Sequence, residues 1–564
     1  MKKINLIVIV FFCFSSHIHS QNFEWARGIG GMGQDEGFSI AVDISGNVYT
    51  TGYFSDTVDF DPGIGIFNLN SMGNSDIFIS KLDSAGNFIW AKNIGGTSTD
   101  RGVSLILGDT NLYVTGTFNG TVDFNPNVGA YNITSIGGPD VFILKLDTAG
   151  DFIWAKNIAG TNDIYVASID IDEMENLYAT GYFSGAYDFD TGPSLYNLTS
   201  TGTYDIFIFK LDNSGNLIWA KQCGKEGYHN GGASIKINTN HDVYITGYFD
   251  RTIDFNPGVG VFELTSTSTG SEDVFILKLD SLGDFTWVKQ LGGIQTDHVL
   301  SMAVDNFGGI YTTGFFRGTT DFDPGVGTYN LTSASGFDIF ISKINADGNF
   351  VWAKNIGGTG FWNQGNSLGL DANGNVFISG EFEGIVDFDS GVGTYNLIAS
   401  GQSDVFISKL DSSGTFLFAR NLGGIESDVG NCLFVDTDEN IYLVGSFTGI
   451  ADFNPNVNTF NLTATGLRDV FVVKLSQNIN TTITEVETNT LLLFPNPTFN
   501  ELTLYFKEPI EKATIKVSNV LGEIVRTFQT SNSRNIIELG NSNGIYFVQV
   551  EINGVSSVYK ILKQ

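Results

Sequence analysis

The sequence is poor in the residue types that carry most chemistry. It holds 3 cysteines, 5 histidines, 5 methionines and 10 prolines in 564 residues. Past the first twenty residues only Cys223 and Cys432 remain. Two cysteines so far apart do not make the disulfide framework of a small secreted fold, and two free buried thiols are expected. There is no Cys-x-x-Cys pair, and only His229, His241 and His298 follow the leader, which disfavours a zinc site built from Cys and His. Bases are also scarce, 29 against 61 acids, for a formal net charge of −32. Such a chain lacks the positive footprint that nucleic acid and anionic membranes require. Beyond the leader, no 18-residue apolar run offers a transmembrane helix. No nucleophile elbow, H-E-x-x-H motif or phosphate loop appears.

What the chain does have is glycine (68), phenylalanine (47) and a 42% hydrophobic content, enough for a large core. Residues 1–20 form a secretory leader: basic Lys2 and Lys3, a short apolar stretch from Leu6 to Phe14, then small polar residues up to Ser20.

An internal repeat dominates the rest. The dipeptide Asp-Phe recurs with aspartates at 59, 123, 188, 254, 321, 387 and 452, spaced 64 to 67 residues apart. Each unit holds four segments rich in Val, Ile, Phe, Tyr, Trp and Thr, as strands are. In the first unit these are Phe38–Asp43, Asn47–Phe54, Asp76–Asp83 and Asn87–Ile94. Asp43-Ile-Ser-Gly-Asn47 and Asp83-Ser-Ala-Gly-Asn87 are tight hairpin turns, and the second-to-third connection is long. Seven units of four antiparallel strands predict an all-β, seven-bladed β-propeller over 21–476. Units end in an aromatic strand such as Trp90-Ala-Lys92. The seventh lacks one, and Phe23–Arg27 is the spare strand that would close the ring. A lysine repeats on every third strand (Lys81, Lys145, Lys210, Lys278, Lys343, Lys409, Lys474), more suited to pairing with a recurring Asp or guarding an edge than to recognising a ligand.

The Gly-Gly-x3-Asp opening, the Val-Asp-x-x-Gly-Asn-Val-Tyr-x-x-Gly stretch and the Trp-Ala-Lys strand resemble SBBP-type bacterial β-propeller repeats over residues 23–475. That resemblance implies a fold and brings no catalytic residues. Residues 477–490 read as a polar linker. From 491 to 564 short strands predict a small β-sandwich. Pro495-Asn-Pro497, Asn519-Val-Leu-Gly522, Gly544-Ile-Tyr-Phe547 and Lys560-Ile-Leu-Lys563 resemble the C-terminal sorting domain of type IX secretion in Bacteroidota. The resemblance implies handling by that secretion machinery, removal of the domain, and release or attachment at the cell surface.

Two series of side chains are candidate sites. In the long loops, Asp59/Asp61, Asp123, Asp188/Asp190, Asp254, Asp321/Asp323, Asp387/Asp389 and Asp452 set oxygen-bearing side chains two residues apart. They are calcium candidates, or Asx-turns in which each Asp holds its own backbone. Before each first strand stand Asp35, Asp100, Asp163, His229, Asp297, Asn363 and Asp428. They predict an acidic face for a cation or for a basic or polyhydroxy ligand. Tyr228, His229, His298 and Phe361-Trp362 depart from the repeat and are the marks of individual function. A secreted or cell-surface, non-catalytic binding or structural protein is the reading, with the ligand left open between a glycan and a protein. A carbohydrate-active enzyme is the alternative, which would need two unlike carboxylates facing one sugar bond.

Overall fold

The computed structural model describes residues 20–225, 229–478, 491–494, 498, 501–507, 509–519, 523–539, 544–552 and 555–563. Residues 1–19, where a leader is expected, and residues 479–490 of the expected linker lie outside these. Regular structure in the described residues is all β, and none of them forms a helix long and apolar enough to cross a membrane. The chain divides into a unit of Gln21–Asn478 and a second unit that holds the C-terminal strands.

The first unit is built of propeller-like antiparallel repeats. In the first repeat Glu36–Val42, Val48–Phe54, Asp76–Leu82 and Phe88–Ile94 pair in that order. Val48–Phe54 is buried at every residue, because neighbouring repeats cover both faces of each sheet. Its sequence is therefore a continuous run of bulky and small residues rather than an apolar–polar alternation. The hairpin turn is held by Asp43, whose Oδ1 accepts the N–H groups of Ser45 and Asn47, both at 2.9 Å. Asp172, Asp212, Asp280, Asp305, Asp371 and Asp436 do the same in later turns.

The long connection holds an unforeseen element. Thr57–Asp59 and Asn68–Asn70 form a three-residue hairpin that extends the preceding outer strand, with Gly30 opposite Asp59 and Gly31 opposite Val58. Strands this short leave no periodic pattern to detect. The Phe of Asp-Phe anchors this hairpin: Phe60 is fully buried and meets Phe54 edge-on at 5.3 Å. The contact recurs as Phe118–Phe124, Phe249–Phe255 and Phe447–Phe453.

Successive repeats are joined by hydrogen bonds between first strands. Leu105 N–H donates to Ser39 Oγ at 3.1 Å, Ile169 to Ser104, and Leu433 to Ser367. The chain ends of the unit also meet. Ser20–Gly31 lies beside Asp469–Asn478 in one sheet, and Asn431 Nδ2 donates to Gly37 O at 2.9 Å. Trp25 Nε1 donates to Ser84 O at 3.1 Å, the same bond that Trp154 and Trp352 make to Asn213 and Ser412 of the repeats that follow them. Both cysteines are free. Cys432 stands where the other first strands place the joining serine.

The second unit has a three-stranded sheet (Leu491–Phe494, Glu501–Phe506, Arg534–Glu538) and a four-stranded one (Ala513–Asn519, Ile524–Thr530, Gly544–Ile552, Val555–Lys563). Alternating residues Leu502, Leu504 and Phe506 from one sheet and Ile515, Val517, Val548 and Val550 from the other fill a common core, as in a small sandwich.

Candidate functional site

Every first strand carries a bulge at the same place. Register shifts fall at Phe38, Val103, Ala167, Ala233, Leu300, Asn366 and Asn431. A bulge re-aims a side chain, and these seven residues all line one cavity of about 320 Å³. Opposite each bulge the second strand has a glycine. A Cβ on Gly52 or Gly116 would stand 1.8 Å from the carbonyl oxygen of Glu36 or Arg101, so no other residue lets the bulged backbone lie so close.

The cavity also takes Tyr165, Tyr182, Tyr248 and His298 into its wall. These belong to an aromatic arc. Tyr165 stacks on Tyr182 with centroids 5.5 Å apart, and Tyr204 meets Tyr182 edge-on. His298 lies 3.8 Å from the Tyr248 ring and stacks on Phe315 at 5.1 Å, with an interplanar angle of 4°. Trp362 continues the arc against Phe315 and Phe337, and Phe361 ends it in solvent, 56% exposed. Gly231 makes room for Tyr248, since a Cβ there would stand 2.7 Å from the phenol oxygen. Burial holds the His298 imidazole down at about 4, so the ring is neutral at neutral pH. The Tyr165 phenol is pushed up to about 12 by the same burial.

In the first, second and sixth repeats the equivalent positions are polar or ionic and are not part of the cavity lining. Arg468 pairs with Glu36 at 3.0 Å, Gln364 donates to Glu381 at 2.7 Å, and Arg101 sits 4.8 Å over the Tyr53 ring.

The other end of the same strands is nearly invariant. Lys81, Lys210, Lys278 and Lys343 each lie 4.5–5.2 Å over a tyrosine ring (Tyr49, Tyr178, Tyr244, Tyr311). The hydroxyls of Tyr49, Tyr178 and Tyr311 donate to the turn aspartates Asp43, Asp172 and Asp305. Lys409 bridges Asp371 and Glu439 at 3.3 and 2.8 Å. A larger cavity, about 530 Å³, opens at this end among Asp305, Phe307, Tyr311, Lys343, Asp371 and Asp436. Its walls are these repeated structural groups.

The loop series of aspartates forms turns. Asp59 Oδ1 accepts from Asp61 N and Phe67 N at 3.1 and 2.8 Å. Asp123, Asp188, Asp254, Asp321, Asp387 and Asp452 repeat the pair of bonds. Asp61, Asp190, Asp323 and Asp389 accept from the glycine two residues on. Asn256 does the same with an uncharged amide, so the turn does not depend on the charge. Among the described residues no group of three or more His, Cys, Asp or Glu is arranged to hold a metal.

The series before the first strands is differently placed from the acidic face expected for it. Asp35, Asp100, Asp297 and Asp428 are buried at 0–1% exposure. Asp35 accepts from Gly31 N and Ser55 N at 2.8 and 3.0 Å, and Asp100 from Gly96 N and Asn119 N. They staple a preceding outer strand to the next repeat. Burial pushes their pKa values up, to about 7 for Asp35 and Asp428, 6 for Asp100 and 8 for Asp297. The pairing register shifts two members by one residue: Ile164 and Asn230, both buried, fill the positions assigned to Asp163 and His229. Asp163 and His229 are exposed beside them, the latter with its N–H on Asp250. Asn363 keeps its place and is buried. Tyr228 lies outside the described residues. Thus His298 is in the cavity wall and Trp362 in the arc leading from it, while the carboxylates are not. The bulge residues escaped the sequence reading, although a recurrent Gly-x-Ser triplet with a variable middle (Gly37-Phe-Ser39, Gly102-Val-Ser104, Gly365-Asn-Ser367) marks them.

Comparison with known proteins fits this architecture at both ends of the chain. Residues 24–53 match a beta-propeller repeat and residues 492–564 a secretion system C-terminal sorting domain. The chain is similar to an uncharacterized WD repeat-containing protein, L264, of Acanthamoeba polyphaga mimivirus, at 25% identity over 510 residues, 75% of this chain and 36% of the relative. It is also similar to the regulatory protein FlaEY of Caulobacter vibrioides, at 27% identity over 148 residues, 26% of this chain and 15% of that protein. It therefore spans little more than a third of the first relative and less of the second. Similar solved structures include a protein of unknown function from Bacteroides caccae (TM-score 0.29, 12% identity, 61% of this chain and 89% of that one). Another is PorZ, a surface component of the type IX secretion system of Porphyromonas gingivalis (TM-score 0.18, 10% identity, 96% and 100% covered). The sorting domain marks a β-propeller protein exported by type IX secretion to the cell surface or beyond, with removal of the C-terminal domain.

Proposed function

We propose that this protein is a non-catalytic binding or structural protein of the cell exterior, whose ligand site is the cavity ringed by the seven bulges. Its seven repeats form seven blades over 21–476, closed into a ring by the N-terminal strand and joined through a linker at 477–490 to the sorting domain at 491–564. Residues 1–20 are the secretory leader. Closure is supported by the pairing of Ser20–Gly31 beside the last repeat and by the Trp25 bond to Ser84.

The observation that carries the functional reading is the break in the repeat. The same seven strands carry near-identical groups at their turn ends and unlike groups at the bulges. Scaffold requirements are the same in every repeat, so they account for the first set and not for the second. What the cavity presents is aromatic surface and uncharged hydrogen-bonding groups, the equipment of a binding pocket. Its test is direct. Purified protein incubated with surface polysaccharides should co-sediment with them and release no reducing ends or unsaturated sugars. Turnover that is lost with a cavity substitution would replace this reading with the carbohydrate-active enzyme.

A further inference from the structure

The cavity wall combines two properties that few ligands satisfy together. Its stacking surface is large: Tyr165, Tyr182, Tyr248 and His298 all face it. Its polar atoms are numerous, neutral and unpaired. The hydroxyls of Tyr165, Tyr182 and Tyr248 take no hydrogen bond within the described residues, and the buried Nδ1 of His298 has no partner. Asn366 and Asn431 tie their amide nitrogens to Gly430 O and Gly37 O at 3.0 and 2.9 Å, which orients both side chains and leaves their carbonyl oxygens as acceptors.

An apolar occupant would cover the rings but strand these polar atoms, and a stranded buried donor or acceptor costs about 1–3 kcal/mol. A charged occupant would lose its water without gaining a free counter-ion: the lining residues carry no charge at neutral pH, and of the ions at the equivalent positions Glu36 is already paired with Arg468 and Arg101 lies over the Tyr53 ring. An anion would meet in addition the field of a chain with formal net charge −32. A pyranose has C–H faces for the rings and hydroxyls around its edge for the phenols and amides. The volume, about 320 Å³, is at the small end of ligand sites and suits a short saccharide. Resting on the binding role proposed above, we infer that the central cavity takes a neutral saccharide, stacked on the Tyr165–Tyr182 and Tyr248–His298 surfaces and bonded at its hydroxyls to Asn366 and Asn431.

The test is a printed array of neutral glycans, uronic-acid and sulfated glycans, and aromatic-rich peptides, probed with the whole purified protein and with Tyr165→Ala/Tyr182→Ala. Both tyrosines are partly exposed, so the variant should fold, with a melting temperature a few degrees below that of the wild type from the lost ring contacts. The wild type should bind a subset of the neutral glycans. Affinity should hold steady between about pH 6 and 8, because His298 stays neutral there, and should be insensitive to salt. The variant should bind the same glycans at least tenfold more weakly. Binding confined to acidic glycans or peptides, neutral-glycan binding that survives the double substitution, or no neutral glycan bound would each overturn the inference. Release of reducing ends would instead break the non-catalytic reading while leaving the saccharide site standing.

Discussion

Each strand of the repeats has two ends, and they obey different rules. At the turn end a lysine over an aromatic ring and an Asp-held turn recur around the unit. At the loop end the equivalent positions run through Glu36, Arg101, Tyr165, Gly231, His298, Gln364 and Val429. Both ends belong to the same hydrogen-bonded ladders, so strand formation does not separate them. The difference teaches where the demands of the fold stop and room for recognition begins: the turn end repeats because every repeat needs the same staple, and the loop end can differ from repeat to repeat because the bulge holds its backbone whatever side chain it carries.

The largest expected effect is on the frame that both ends share. Deleting Gln21–Gly31 removes the buried Trp25, Ala26 and Ile29 and a paired strand. It should lower the melting temperature more than any substitution below, with ~3 kcal/mol from Trp25 alone. An unchanged melt would remove the closure proposal. Next, Gly116→Ala sets a Cβ against Arg101 O, backbone that cannot swing aside. It should cost ~3 kcal/mol in a denaturant melt, and a loss within a few tenths would show that the bulge does not need the glycine.

The pH dependence follows from the stapling aspartates. Asp35, Asp100, Asp297 and Asp428 are held by burial at about 6 to 8, above the ordinary carboxyl value. Between about pH 4 and 8 the folded protein therefore keeps protons that the unfolded chain releases. Their contribution is full below the ordinary value and is lost as pH rises through the raised ones. His298, held at about 4, acts in the opposite direction up to about pH 6.5, one group against these four and Asp140, which burial holds at about 6. Urea melts should give a higher stability at pH 5 than at pH 8. Asp297→Asn and Asp428→Asn should flatten the slope by at least ~1 kcal/mol, since Asn363 already serves in the same position. A stability that rises over this range would contradict the assignment.

Smaller effects sharpen the contrast itself. Tyr311→Phe loses its bond to Asp305 and should cost ~1 kcal/mol, whereas Tyr248→Phe, whose hydroxyl bonds to nothing in the described structure, should leave stability unchanged. Smallest of all, millimolar calcium should shift the melt no more than sodium chloride of equal ionic strength, because Oδ1 of both Asp59 and Asp61 is already held by turn N–H groups and no three carboxylates among the described residues converge on one point. A larger calcium shift, abolished by Asp59→Asn/Asp61→Asn, would restore the loop series as a cation site.

Much of the fold was legible because it rests on local chemistry repeated many times. The Asp-x-x-Gly-Asn turns fixed the hairpins, and the strand runs between them were long enough to recognise. The three-residue hairpins were not, since Thr57–Asp59 is too short to show a period. The site was legible only in part. His298 and Trp362 stood out as departures from the repeat, and the structure sets both in the aromatic arc. Asp163 and His229 were placed one residue off because loop lengths vary between repeats and only strand pairing fixes register. The carboxylates looked like a surface because burial is a tertiary property: Asp35 reads as a solvated loop residue until Gly31 and Ser55 close over it.

The central claim, that recognition belongs to the irregular end, is tested most directly by binding isotherms of one neutral glycan on two double variants. Tyr165→Ala/Tyr182→Ala alters the bulge cavity, and Asp305→Asn/Phe307→Ala alters the larger cavity at the turn end. The account predicts a tenfold or greater loss in the first and wild-type affinity in the second. Loss in the second with the first unchanged would contradict it.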